Sequence, residues 1–320
     1  MRAVHVTEFG GPEVLLPVRA QDPVPGPGEV LIEVAYADTI FLETQLRSGW
    51  GLDYFPVRPP YVPGGGVAGV VRALGAGVEE VWLGRRVTAF VTGSYAELAV
   101  AAADALTVVP EDLDLLPAAA LVHDGVTAGG LAERVGLGPG DRVLILGASG
   151  GMGTLLVQLA RARGAHVVAL ARGEAKAALV RELGAHTVVD PGAPDWPGRA
   201  REALGGAADV VLDGVGGGLG LTAFALTADG GRFSAHGAPS GAFAPVDPEE
   251  AERRGITLFG IQDVQFSPTD LRRLTTLAFT EAVARRLRPV IGEVFPLAHA
   301  DRAHAAIEGR EVVGKVVLEV

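Results

Sequence analysis

Val143-Leu144-Ile145-Leu146-Gly147-Ala148-Ser149-Gly150-Gly151-Met152-Gly153-Thr154-Leu155-Leu156-Val157-Gln158 is the stretch on which the reading of this chain turns. An apolar run suited to a buried strand enters a glycine-rich turn and leaves as a helix. Gly150 and Gly153 take the second and third positions of G-x-G-x-x-G, and Ala148 takes the first, which alanine can fill where the turn keeps φ negative. Gly150 lets a pyrophosphate come close to the backbone, and Gly153 lets the helix pack on the strand. The first helical amides and the positive end of the helix dipole then face the phosphates. A lone glycine motif is weak evidence, and a tight strand–helix turn without a ligand is the bland alternative. Here a strand precedes it, a helix follows, and a second strand comes at the right distance, which is the context a dinucleotide site requires.

That second strand, His166 to Leu170, bears on which dinucleotide is bound. A site for NAD usually places Asp or Glu at the strand end, on the ribose 2′-hydroxyl. This chain continues Ala171-Arg172-Gly173-Glu174-Ala175-Lys176, with its acid only in the following turn. Arg172 and Lys176 are placed to meet a 2′-phosphate through charge-assisted bonds, or else are solvated cations at a helix start. The cofactor expected is NADPH.

Outward from this unit the chain alternates strand and helix. A helix is expected over Pro117 to Val135, with a possible break at Gly125, and others over Thr154 to Arg163 and Glu174 to Leu183, each of the latter two stopped by glycine. Strands are expected at Asp141–Leu146, Thr187–Asp190, Asp209–Asp213 and Gly231–Ala235. Repeated strand–helix–strand units predict an α/β fold with a doubly wound parallel Rossmann sheet. Roughly the first 110 residues have a different texture, with short alternating runs and Gly/Pro punctuation. They include Ala3–Val6, Glu29–Tyr36, Gly64–Val71, Arg86–Phe90 and Ser94–Val100, and suggest a compact β-rich, barrel-like domain. After Arg285 come Val290-Ile291, a short helix over Ala298 to Glu308 and a strand from Lys315 to Val320, a tail free to return to the first domain.

The bulk chemistry narrows the function classes. With 27 Lys and Arg against 38 Asp and Glu, the net charge is −11, which argues against a nucleic-acid-binding surface while leaving room for a pocket holding one phosphate. No cysteine is present, so disulfides and thiolate-bound zinc are excluded. Met1-Arg2-Ala3-Val4-His5 carries no signal-peptide pattern, and no apolar run is long enough to span a bilayer; the cytoplasm is the expected compartment.

The chain resembles the zinc-independent quinone oxidoreductases of the medium-chain dehydrogenase/reductase superfamily, along nearly its full length. The resemblance is carried by Thr44-Gln45-Leu46-Arg47-Ser48-Gly49, Tyr61-Val62-Pro63-Gly64 with Val67 to Val71, Gly140 to Leu144, the alanine-led turn Ala148 to Gly153, Asp209 to Gly217, and Gly314 to Leu318. It implies a GroES-like catalytic domain over 1–117 and 285–320, with a Rossmann domain inserted over 118–284. It further implies Thr127 near the cofactor, Gly214, Val215 and Gly216 at the nicotinamide end, and Gly237 and Ser240 on the next loop. A homodimer joined along the edge strand Thr257 to Ile261 follows from the same resemblance. Zinc-dependent relatives use a Cys, a Gly-His-Glu segment and a further Cys or Asp; the corresponding segment here, Pro63-Gly64-Gly65-Gly66-Val67-Ala68-Gly69, has neither His nor Glu, and the chain has no Cys, so no catalytic zinc is expected there. His299 and His304, five apart on a late helix, read as packing or surface residues.

Three family positions depart from the pattern: Ile40 and Gln45 stand where relatives carry Asn and Tyr, and Pro191 stands where they carry a Tyr near the adenosine phosphate. Three polar residues remain as catalytic candidates. Gln45 either bonds a carbonyl oxygen or is an exposed helix residue. Tyr54 either donates a proton to an enolate or is a surface aromatic. His123, beside Asp124, is either an oriented imidazole near the nicotinamide or half of a capping pair.

The reaction implied is hydride transfer from NADPH to a small-molecule acceptor. Without a Lewis acid at that position, the favoured acceptors stabilise negative charge themselves, as quinones and conjugated carbonyls do. Two alternatives stay open: an enoyl or alkenal reductase acting on a C=C bond, and an NADPH-binding sensor or partner protein with little turnover.

Overall fold

The computed structural model describes residues 1–320, packed as two compact units: Met1–Val126 with Pro268–Arg285 and Pro289–Val320, and Thr127–Ser267 with Arg286–Arg288. In chain order the first unit opens with β1 (Arg2–Val6), β2 (Leu15–Arg19), β3 (Glu29–Asp38), α1 (Phe41–Arg47), β4 (Gly66–Leu74), β5 (Arg86–Phe90), β6 (Leu98–Ala102), β7 (Thr107–Val108) and α2 (Leu115–Leu121). β3 is the spine of this unit. It pairs antiparallel with β4 and with β6, and its inward residues Val30, Ile32 and Val34 are buried with Val67, Val71, Val87 and Ala99. Period-two burial on a half-covered sheet is what the alternating sequence called for.

Two local expectations shift. The strand expected over Ser94–Val100 begins only at Leu98, because Tyr95 and Ala96 turn aside to meet β1: Val4 N–H donates to Tyr95 O at 2.9 Å. The helix expected over Pro117–Val135 is broken, but at Val122-His123 rather than at Gly125. α2 ends at Leu121 and α3 (Asp124–Arg134) starts afresh.

The second unit holds β8 (Arg142–Leu146), α4 (Gly151–Ala162), β9 (His166–Leu170), α5 (Glu174–Glu182), β10 (Thr187–Val189), α6 (Trp196–Ala203), β11 (Ala208–Asp213), α7 (Gly217–Ala225), β12 (Thr227–Ala235), α8 (Pro248–Arg253) and β13 (Thr257–Phe259). Its six strands are all parallel, in the order β10-β9-β8-β11-β12-β13. This is the doubly wound order, with the direction of winding reversing between β8 and β11. Leu144, Leu146, Val168, Val211, Phe224 and Phe233 lie in one core, the two Phe rings edge-to-face at 5.4 Å. Continuous apolar strands are the mark of a sheet covered on both faces.

The chain then returns to the first unit through α9 (Pro268–Val283), β14 (Ile291–Pro296), α10 (Ala300–Glu308) and β15 (Lys315–Glu319). β14 and β15 run parallel, and β15 pairs antiparallel with β3, Val317 opposite Asp38. The C-terminal tail therefore does return to the first sheet. α10 buries Ala300, Ala303 and His304, one helical face. His304 is a packing residue: it is fully buried, with Nε2 2.9 Å from Tyr95 Oη. No single helix is long and apolar enough to cross a membrane.

Candidate functional site

In the Thr127–Ser267 unit the glycine turn lies at the carboxyl end of β8, beside the reversal of strand order, where open α/β sheets bind ligands. The left-handed residue of the turn is Gly147 (φ +69°), which spares Ala148 that conformation, and Ala148 is fully buried. Gly153 presses on the turn: a Cβ there would stand 2.1 Å from Gly147 O and 2.8 Å from Ala148 Cα. A Cβ on the exposed Gly150 would meet only Gly147 O, at an ordinary 3.5 Å. Gly150 caps α4 with extended backbone and no side-chain hydrogen bond. The opening amides of the helix, those of Gly151, Met152 and Gly153, are therefore left for an anion. Ser149, Gly151 and Met152 are partly exposed.

Gly214, Val215, Gly216, Gly237 and Ser240 come together beside this turn. Ser240 N–H donates to Val215 O at 3.0 Å, and a Cβ on Gly237 would fall 2.5 Å from Gly214 O. A Cβ on Gly147 would touch the Val215 side chain at 3.3 Å, which ties the two loops into one surface. The residue that shapes this loop was missed from sequence. Fully buried Asp213 accepts the amides of Val215 and Gly216, both at 2.9 Å. Burial pushes its pKa up to about 6, against the pull of those two amides. The signal was present as an acid ending an apolar strand just before a glycine run.

At the end of β9, Arg172 is exposed and Lys176 half-buried in the first turn of α5. Asp190, which follows β10, accepts the amides of Gly192 (2.7 Å) and Gly173 (3.3 Å). Those amides, then Arg172 and Arg199, hold its pKa below the usual carboxylate range. The polar group in this corner is thus Asp190 rather than its neighbour Pro191. Thr127 lies in the first turn of α3, partly exposed.

The three catalytic candidates fare differently. Gln45 is half-buried in α1. Tyr54 lies in the turn after Gly51, 45% exposed. His123 sits between α2 and α3, and its partner is not Asp124 but Asp38 at the end of β3, bonded through Nδ1. Asp124 instead faces Lys315 Nζ at 3.1 Å, and the same ammonium lies 2.5 Å from Asp38 Oδ1. The His123 ring stands edge-on to Phe90, with centroids 4.8 Å apart. It also lies over Gly65 and Gly66, where any Cβ would come within 3.0 to 3.1 Å of ring atoms. The chain has no group of three or more His, Cys, Asp or Glu side chains arranged to hold a metal ion.

Behind this cluster is a second buried network. Tyr95 Oη donates to Glu43 Oε2 at 2.6 Å, and Arg47 pairs with Glu308. Neither Asp38 with Lys315 nor Glu43 with Tyr95 was legible as a pair, since each joins residues far apart in the chain.

Comparison with known proteins agrees with this architecture. Residues 26–111 match the family model for the alcohol dehydrogenase GroES-like domain, and residues 151–278 match the model described as zinc-binding dehydrogenase. The chain is 32% identical to the quinone oxidoreductase of Sus scrofa, over 99% of this chain and 97% of that protein. It is equally similar, at 32% over 99% and 98%, to a 2-haloacrylate reductase of a Burkholderia species. Among solved structures, a mycobacterial protein complexed with NADPH superposes with a TM-score of 0.92 at 34% identity, covering the whole of both chains. The quinone oxidoreductase of Escherichia coli complexed with NADPH gives 0.93 at 26% identity, again over both whole chains. Near full-length identity above 30% and a matching pair of units identify the chain as a member of the quinone oxidoreductase branch of the medium-chain dehydrogenase/reductase superfamily.

Proposed function

We propose that the protein is an NADPH-dependent reductase that passes hydride to a conjugated carbonyl acceptor, a quinone foremost. The observation that carries this reading is the Gly147–Gly153 turn, which opens a helix with no side-chain cap, with two cations, Arg172 and Lys176, just after the next strand. The similarity to proteins named quinone oxidoreductase, and to two solved with NADPH, supports it.

In this reading the amides of Gly151, Met152 and Gly153 bind the pyrophosphate, with Ala148, Ser149 and Gly150 forming the turn beneath it. Arg172 and Lys176 take the 2′-phosphate. Gly214, Val215, Gly216, Gly237, Ser240 and Thr127 line the nicotinamide end, where the absence of bulky side chains on the glycines admits a flat ring. The bound dinucleotide supplies the hydride, and the protein supplies orientation and a dry site. Gln45, Tyr54 and His123 are the groups available to the acceptor's oxygen. The unit Thr127–Ser267 acts as the nucleotide domain and the unit holding both chain ends as the catalytic domain; the boundaries expected at 117/118 and 284/285 shift, because residues 118–126 and Pro268–Arg285 pack with the first unit. The proposal extends to a cytoplasmic homodimer joined along β13, an edge strand whose Leu258 is 38% exposed.

A second reading, reduction of an activated C=C bond, is favoured by one observation: His123 is anchored by a carboxylate, as a proton donor should be. The similarity to a 2-haloacrylate reductase supports the same reading. Fluorescence titration with NADPH and NADH, followed by NADPH oxidation assays with 1,4-benzoquinone, a 2-alkenal and a 2-haloacrylate, tests both. Tighter NADPH binding and turnover of the quinone are expected. Tighter binding of NADH overturns the cofactor assignment. Tight NADPH binding with no acceptor accelerating its oxidation makes the protein a binder rather than a reductase.

A further inference from the structure

His123 is fixed in place by three charged residues from three different elements. Asp38, 1% exposed at the end of β3, gives one carboxylate oxygen to His123 Nδ1 and the other to Lys315. Lys315 opens β15 and is shared with Asp124, in the first turn of α3. Glu43 of α1 is the remaining titratable group that acts on the imidazole. A carboxylate as deeply buried as Asp38 stays ionised only with strong compensation. Burial pushes its pKa up, but the Lys315 ammonium and His123 together hold it below the ordinary value.

The imidazole itself is one-sided. Nδ1 is committed to Asp38, whereas Nε2 forms no hydrogen bond within the protein, and the side chain remains 22% exposed. Gly65 and Gly66 leave the ring its space, and Phe90 holds its edge. Burial lowers the His123 pKa, the charge and hydrogen bond of Asp38 raise it, Lys315 lowers it and Glu43 raises it; the net direction is up. The ring is therefore held in one orientation, with the proton-carrying form favoured and a single nitrogen free to act.

We infer that Asp38 is the positioning residue of a His123–Asp38 pair that delivers the proton completing reduction of a conjugated carbonyl, with Lys315 holding Asp38 ionised. This rests on the reductase reading above. Once an acceptor has taken up a hydride, its new electron pair sits on the carbonyl oxygen as an enolate or phenolate. The His123 Nε2–H bond breaks, an O–H bond forms, and the imidazolium becomes a neutral imidazole whose Nδ1–H stays on Asp38. Water then returns a proton to Nε2. An enolate needs this proton more than a hydroquinone anion, whose charge is delocalised, so loss of the pair should slow an enone more than a quinone.

The test uses imidazole ¹⁵N NMR on the cofactor-free full-length protein, with His123→Gln assigning the resonance. The neutral ring should be the Nδ1–H tautomer and should titrate above the ordinary histidine value of about 6.5. Asp38→Asn should lower that midpoint and abolish the tautomer preference; an unchanged midpoint or an Nε2–H tautomer overturns the proposal. The second arm is kinetic. His123→Gln should lower kcat for a 2-enone by roughly 100-fold, with the Kd for NADPH within twofold of wild type. Wild-type kcat should fall as pH rises through the NMR midpoint, and in Asp38→Asn that fall should move to lower pH. If His123→Gln keeps its enone kcat while NADPH still binds, the proton-delivery role is wrong and the reductase reading stands. If the wild-type protein reduces neither enone nor quinone, the reductase reading fails and this inference fails with it.

Discussion

Tyr95 Oη lies 2.6 Å from Glu43 Oε2 at a place where both side chains are buried, one at 0% and the other at 6% exposure. Burial pushes the Glu43 pKa up to about 7, outweighing the stabilising hydrogen bonds from Tyr95 and from the Ile40 amide. The same Tyr95 hydroxyl faces His304, which burial, and after it the charge of Arg47, lowers to about 3. His304 is therefore neutral at physiological pH, and the proton that matters in this network is the one on Glu43.

A pH dependence of stability follows. The folded protein holds the Glu43 proton more tightly than the unfolded chain, whose carboxyl titrates at an ordinary 4.5. The group's contribution is therefore most favourable below pH 4.5 and is lost as pH rises through about 7. Between pH 5.5 and 8 the loss is about 2 kcal/mol, at 1.36 kcal/mol per pKa unit. Glu43→Gln keeps an oxygen for Tyr95 and carries no charge. Urea unfolding at the two pH values should show wild type losing about 2 kcal/mol more than Glu43→Gln, and parallel losses would refute the shifted pKa.

The two glycines of the turn should separate stability from binding. Gly153→Ala puts a methyl 2.1 Å from Gly147 O, so it should lower both Tm and NADPH affinity. Gly150→Ala meets only an ordinary 3.5 Å contact. It should leave Tm nearly unchanged and weaken NADPH, because its methyl would occupy the side from which the pyrophosphate approaches. Equal effects of the two on Tm would count against the placement of the phosphates.

The cations at the end of β9 should discriminate between cofactors. Lys176→Ala and Arg172→Ala should each weaken NADPH by about tenfold or more, the scale of a lost charge-assisted hydrogen bond, while NADH changes little. Arg172 also lies near Asp190, whose pKa is lowered first by the Gly192 and Gly173 amides and then by Arg172 and Arg199, so the Arg172 variant removes only part of that effect. Equal losses of NADPH and NADH in isothermal titration would remove both residues from the 2′-phosphate site.

The edge strand offers a test of assembly. Leu258→Asp places a charge on β13, whose Leu258 is 38% exposed and has no structural neighbour strand beyond β12. Light scattering should show a wild-type dimer and a variant monomer with similar Tm. A wild-type monomer at tens of micromolar would exclude the dimer.

The nucleotide unit was legible because its signals are local. The central parallel strands are apolar runs, as in Val143–Leu146 and Val210–Leu212, and the glycine turn follows its strand directly. The return of the C-terminal strand was left open by sequence and decided by the ladder that sets Val317 opposite Asp38. That pairing carries Lys315 to Asp38, while the break after α2 carries His123 to the same carboxylate. Periodicity and turn chemistry act between near neighbours, so the doubly wound sheet and the glycine-rich strand–helix turn could be read from the order of residues alone. That His123 answers to Asp38 rather than to Asp124, and that Glu43 holds its proton up to about pH 7, emerged from the folded chain. Both depend on burial and on charges brought together from distant parts of the chain.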